Sequence, residues 1–341
     1  MSGHRGAVNI TPSRTNAPGR WGVMDVYHWR RLNRWPVVPI DIAVGDIWAG
    51  NTYQQLDRID RDGARVFHRG SSLFDNAVVA VEVDANENAY TASAEGIRKV
   101  GPTGSGLWLY NNGIDGRPSD VAVDGNGYSY TGDWNGHVHR INPNGQRDER
   151  FENLTQDSTS VRAIAVDADG SIYIGGSGKT VFKYDSTGEL VWTMGRHSDS
   201  VHALAVDGDG NVYSASGGND RAVRKTDGNG DHEWTYTDFE QSPMDVAVDA
   251  DGFVYVASWE GSVHKLNRHG TRQWRNTRHQ GSVHGVAVDA EGFVYSAGWD
   301  ATVRCMDRDG KQQWVFAAYS SGSTINSVAV GPGVHGAGHG W

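Results

Sequence analysis

The amino-acid sequence predicts an all-β protein, a seven-bladed β-propeller whose ring is closed by its own C-terminal strand. Three observations predict it. A ten-residue pattern of a β-branched run, Asp, a Gly-rich turn and Tyr returns at 81–90, 121–130, 164–173, 204–213, 246–255 and 286–295. Its aspartates, Asp84, Asp124, Asp167, Asp207, Asp249 and Asp289, stand 40 to 43 residues apart, and so regular a period marks one supersecondary unit copied side by side. A large aromatic ends each copy: Trp108, Trp192, Trp234, Trp274 and Trp314, with Phe67 and Phe151 in the same place.

Each element of one copy follows from local chemistry. Val246-Ala-Val248 is a short β-branched strand, and Asp249-Ala-Asp-Gly252 is a turn in which Gly supplies positive φ. Phe253-Val-Tyr-Val-Ala257 is a second strand, and Ser258-Trp-Glu-Gly261 turns again. Val263-His-Lys-Leu266 alternates apolar and polar as a half-buried strand does, and after the turn 267–270 a fourth strand begins at Thr271. Four antiparallel strands in about 40 residues make a propeller blade. The recurrent aromatics read as core wedges against the neighbouring blade.

The first-strand pattern ends at Val83, Val123, Val166, Val206, Val248, Val288 and, a seventh time, at Val330. Residues 331–341 are too few and too Gly-rich for three more strands, whereas Ile47 to Phe67 supplies the missing ones at the other end. A ring of seven, completed by the C-terminal strand, leaves no open edge. Eight blades are the alternative, because Ile42-Ala-Val44 resembles a further first strand. The expected organisation is an arm over 1–36, a propeller over 37–330 and a Gly/His-rich tail over 331–341.

A net charge of −10 without a basic block argues against nucleic acid. Of the 31 basic residues only six are lysine, which reads either as a GC-rich genome or as adaptation to high salt. One cysteine, Cys305 on a third strand, excludes a disulfide or thiolate cluster within one chain. No stretch is apolar enough to span a membrane, and the first residues lack the apolar core of a signal peptide.

The stretch from Tyr295 to Trp314 resembles the quinoprotein-like (PQQ-like) repeat, in which a strand ending in Asp is followed by Gly and a Trp four residues on. Gly310 with Trp314, Gly270 with Trp274, Gly230 with Trp234 and Gly188 with Trp192 carry the likeness. The Asp-x-x-Gly-x-x-Tyr segment also looks like NHL-type propellers. The resemblance implies the fold over roughly 45–330. It implies no single function, because this fold hosts enzymes, scaffolds and binding modules. Enzymes of the family hold a quinone and Ca²⁺ beside adjacent half-cystines, a feature that one cysteine does not allow.

No cofactor or metal is expected. The Asp-Ala-Asp-Gly turns lack the ligand spacing of a calcium loop and serve the hairpins. The histidines fall in repeat register, and His139 and His264, on third strands, read as blade surface. No nucleophile elbow, zinc-binding helix or phosphate loop is present, so no catalytic residue is assigned and the protein is expected not to be an enzyme.

Two sets of residues remain for recognition. One lies four residues before the last valine of each first strand: Val79, Ser119, Arg162, His202, Met244, His284 and Asn326. These positions meet around the channel mouth, and they vary where their neighbours repeat, either as a diversified binding surface or by drift. The other comprises Trp134, Trp259 and Trp299 in polar turns, suited to a glycan or protein partner, or else to packing over the adjacent blade.

Residues 1–20 read as a flexible or partner-ordered arm. Residues 25–36 carry a short helical pattern stopped by Pro36, and Trp21, Trp29 and Trp35 mark the stretch for docking. This segment resembles the start of tailed-virus tail or fibre proteins, with Gly22-Val23 and Arg34-Trp35-Pro36 carrying the likeness and Met24 replacing their usual Trp. It implies a virion protein, anchored to other virion proteins through the arm within a larger assembly and offering a propeller face to a host surface protein or glycan. The alternative is a cytoplasmic quinoprotein-like scaffold for protein–protein interaction.

Overall fold

The computed structural model describes residues 45–331 except 71, 115, 149–150, 152–153, 155–158 and 318–322, and also 338–339. Ile42–Val44, the arm with Trp21, Trp29 and Trp35, and most of the tail lie outside the described residues.

Seven antiparallel sheets form the ring. Blade 1 joins Ile325–Val330 to Ile47–Asn51, Gln55–Ile59 and Arg65–Arg69. Blade 2 is Val78–Val83, Ala89–Ser93, Gly96–Val100 and Gly106–Tyr110; blade 3 is Pro118–Val123, Ser129–Asp133, Val138–Ile141 and Arg147–Asp148. Blade 4 is Val161–Val166, Ile172–Gly176, Val181–Tyr184 and Leu190–Met194; blade 5 is Val201–Val206, Val212–Ser216, Ala222–Thr226 and His232–Tyr236. Blade 6 is Pro243–Val248, Val254–Ser258, Ser262–Leu266 and Arg272–Asn276; blade 7 is Val283–Val288, Val294–Gly298, Val303–Met306 and Gln312–Phe316. No α-helix occurs among the described residues. The first strands of successive blades lie side by side, blade 7 meeting Ile325–Val330 and that strand meeting blade 2, so the ring closes as expected.

The chemistry of the repeat is spent on one face. Each repeat Asp accepts two backbone N–H groups of its own turn: Asp249 Oδ1 takes those of Asp251 and Phe253, both at 2.9 Å. Its other oxygen accepts the hydroxyl of the repeat Tyr, Tyr255 to Asp249 at 2.9 Å and Tyr295 to Asp289 at 2.8 Å, with the same pairing in blades 2 to 5. Turn amides and the tyrosine hydroxyl thus occupy both carboxylate oxygens of the repeat Asp. Burial, then the adjacent Asp, pushes the Tyr255 and Tyr295 hydroxyls far above the usual phenol range.

The fourth-strand tryptophans lie edge-on or tilted against these tyrosines, and Phe67 against Trp48 and Phe151 against Tyr130 fill the same place. Each indole is half-buried and donates Nε1–H to a turn carbonyl of the next blade: Trp234 to Arg268 and Trp274 to Arg308, both at 2.9 Å. The turn glycine sits on that ring. A Cβ at Gly310, where φ is +77°, would lie 2.8 Å from Trp274. The Gly and Trp four residues apart in the repeat therefore meet rings and turns of different blades, which makes the motif an inter-blade joint.

Cys305 is buried, and its thiol is pushed up to about 12 by burial and then by Asp289. Blade 6 carries a fifth, two-residue strand, Gly338–His339, antiparallel to Asp245 and Val246. It packs against the first strands of blades 3, 4 and 5 and so lies inside the ring.

Candidate functional site: the channel mouth

The second hairpin of a blade and the loop that enters the blade share the face opposite the Asp–Tyr turns. The amide of Trp259 donates to Ser242 O at 2.9 Å, that of Trp299 to Ser282 O at 2.8 Å, and Thr52, Ser177 and Gly217 make the same bond in blades 1, 4 and 5. The residue after the second strand is Thr52, Ala94, Trp134, Ser177, Gly217, Trp259 or Trp299 in blades 1 to 7. The turn tryptophans and the variable ring therefore belong to one face.

The variable ring has a single structural cause. In all seven first strands the pairing register slips by one residue, and the extra residue is Asn326, Val79, Ser119, Arg162, His202, Met244 or His284 in blades 1 to 7. A bulge sets two residues of one strand against one of the other and re-aims the extra side chain, so that position does not share the alternation that holds its neighbours alike. These side chains are not set out in solvent: six are buried, and Arg162 is partly exposed. Ser119 Oγ donates to Val161 O at 2.5 Å and Asn326 Nδ2 to Val78 O at 3.0 Å, so both stitch their first strand to the next blade.

The bulge and turn positions meet most closely in blades 6 and 7. The His284 ring stacks on Trp299, centroids 4.4 Å apart and planes 4° from parallel. Trp259, from the preceding blade, lies 6.0 Å from both rings. Burial, then His202, holds the His284 imidazole at about 4. Burial, then Arg162, holds His202 at about 4 as well. Both rings are neutral at pH 7. In blade 5 the Trp position is Gly217, and His202 fills the space: a Cβ on Gly217 would lie 2.2 Å from its ring. Trp259 and Trp299 remain 43% and 40% exposed. Trp134 is 51% exposed in blade 3, where Arg117 covers it at 5.5 Å, apart from the other two.

Residues not singled out by sequence also shape the ring. Asp120 and Asp245, fully buried one position after the bulge, each accept an N–H from the next blade's first strand: Ile164 at 2.8 Å and Val286 at 2.7 Å. Two blades hold Ser–His–Asp chains. His197 bonds Ser214 Oγ and Asp220, both at 2.7 Å, and His279 bonds Ser296 at 2.8 Å and Asp300 at 3.0 Å. These chains resemble a hydrolytic triad, yet Ser214 and Ser296 are fully buried, and Arg224 and Arg304 engage the two aspartates. A nucleophile without access to a carbonyl carbon performs no acyl transfer, so the chains tie strands together. Burial opposes the ionised form of Asp220, but hydrogen bonds from Arg224 and His197 hold its carboxyl well below the usual range.

His139 and His264 are corrected from blade surface to blade interior, both with no exposed area. His264 bonds Tyr236 and Glu260, each at 2.9 Å, and His139 bonds Tyr110 at 3.4 Å. Register placed them on third strands, but a buried tyrosine at the end of the preceding blade's fourth strand, Tyr110 or Tyr236, meets each of them on the inner side.

A family model described as outer membrane protein assembly factor BamB matches residues 93–250 and 238–334, in agreement with the PQQ-like resemblance of the repeats. The crystal structure of the WD40 β-propeller domain of Doa1 is 19% identical, covers 77% of this chain and 93% of that one, and superposes with a TM-score of 0.65. At that identity the likeness concerns the fold. No curated protein matches the chain.

Proposed function

We propose, because the chain belongs to the outer membrane protein assembly factor BamB family, that it is a non-enzymatic scaffold that holds other proteins through the channel-mouth face. One observation carries the reading: the repeated Asp, Tyr, Trp and Gly are consumed on one face, whereas bulge residues and turn tryptophans, which differ from blade to blade, share the other. Function on a repeated frame resides where the repeats differ. The family's description, an assembly factor, agrees with such a role. Among the described residues no helix is long and apolar enough to cross a membrane.

A photo-reactive amino acid placed at 134, 259 or 299, and separately at Gln273 or Gln313 on outer strands, tests this in cells of the source. The reading predicts discrete protein crosslinks from the turn positions. Crosslinks confined to the outer strands would overturn it.

A tailed-virus virion component is the second reading, with a host surface protein or glycan on the mouth face. Gly22-Val23 and Arg34-Trp35-Pro36, outside the described residues, favour it. Tail or capsid genes beside this gene support that reading, and cellular neighbours oppose it.

A further inference from the structure

We infer that the aromatic corner of Trp259 and Trp299 is a binding site for a neutral saccharide ring, a proposal that rests on the mouth face being the recognition face. Both indoles present exposed area, and their planes meet at 63° with centroids 6.0 Å apart. His284 backs Trp299 as a parallel third ring and fixes its orientation from the buried side. Two fixed, partly exposed aromatic faces at an angle suit a rigid body with an apolar face and a polar edge.

The charge of the corner selects among such bodies. A cage for an ammonium group draws on the ring faces and is strengthened by a carboxylate free to face the cation. Each tryptophan turn does carry one, Glu260 or Asp300, but both are engaged. Glu260 accepts from Gln241 N at 3.1 Å, Ser262 Oγ at 2.6 Å, His264 at 2.9 Å and Arg275 at 3.0 Å. Asp300 accepts from Gln280 N at 3.0 Å, Thr302 Oγ1 at 2.7 Å, His279 at 3.0 Å and Arg304 at 3.3 Å. His284 is neutral, so the aromatic stack offers no cation to an anion either.

What the same carboxylates do is hold the backbone of Gln241 and Gln280, one beside each tryptophan turn, with both residues exposed. A primary amide carries donors and an acceptor without charge, which suits hydroxyl groups. Stacking indoles flanked by neutral amides match a pyranose, whose C–H face stacks while its hydroxyls bond at the rim.

The test is binding of the full chain to an array of neutral and charged oligosaccharides, followed by titration of tryptophan fluorescence with the best neutral glycan. The expected result is saturable binding that W259A or W299A each weaken about tenfold or more. Gln313→Ala, on an outer strand remote from the corner, leaves it unchanged, and melting temperatures of the variants verify folding. Absence of binding anywhere on the array, equal binding by the W259A/W299A double variant, or preference for sialylated or amino sugars would overturn the proposal. Protein crosslinks from 259 and 299 with no glycan bound would leave the scaffold reading standing and remove this one.

Discussion

The indole of Trp314 donates to the main-chain carbonyl of Arg61 at 2.7 Å, joining residues 253 positions apart. Beside this bond Gly331 N donates to Asp46 O at 3.0 Å, and Gly45 approaches Gly331 too closely for any side chain. The last blade thus docks on the first by the same indole joint that follows blades 2, 4, 5 and 6, and Ile325–Val330 completes the first sheet. Trp314→Phe keeps the ring but removes the bond, and should cost about 1 kcal/mol. Trp314→Ala also opens a cavity at the closure and should cost about 3 kcal/mol. Urea denaturation measures both, and a Trp314→Ala protein as stable as wild type would contradict the joint.

Glycine comparison separates two costs that the repeat combines. Gly310 and Gly210 have φ values of +77° and +78°, but a Cβ at 210 meets nothing within 4 Å, whereas one at 310 meets Trp274. Gly210→Ala should lose about 1 kcal/mol from backbone strain alone. Gly310→Ala should lose at least about 2 kcal/mol because the indole must also move. Equal losses would show that the Gly–Trp contact contributes nothing.

Stability should fall as pH drops from about 6.5 to 4. His197, His202 and His284 have folded values of about 4, set first by burial, and an ordinary imidazole titrates near 6.5. The unfolded chain therefore binds protons over this window while the folded chain does not. Each histidine contributes stability at neutral pH that is lost on acidification, up to about 3 kcal/mol at the low end. Below this window protonation of Asp220 and Asp300, both held low, removes more. Melting temperature followed between pH 7 and 4 should decline, and a flat profile would contradict neutral buried histidines.

The Ser–His–Asp chains should be structural. Ser214→Ala leaves the His197 ring short of a partner and should cost about 1–2 kcal/mol. The native protein should not react with a fluorophosphonate. Labelling at Ser214 or Ser296 would require access that the buried serines lack.

The fold was legible because a 40-residue period survives in residues with one structural duty each. Asp249, Tyr255, Gly270 and Trp274 recur since every blade needs the same turn, the same capping hydroxyl and the same joint. Variation at 79, 119, 162, 202, 244, 284 and 326 was also visible, but a bulge leaves no mark in an alternation read one strand at a time. Burial of these side chains therefore had to come from the pairing register. The His197 and His279 networks were missed for a different reason: their partners sit on other strands. A signal existed in the spacing, because each histidine has a serine 17 residues later and each aspartate an arginine four later.

On the proposed function, the mouth face binds while the repeated face only builds. Comparing the proteins crosslinked in cells by wild type and by W259A/W299A, with folding verified by melting temperature, tests it most directly. The account predicts a variant that melts near the wild-type temperature and loses the crosslinked set. A folded variant that retains every crosslink would contradict it.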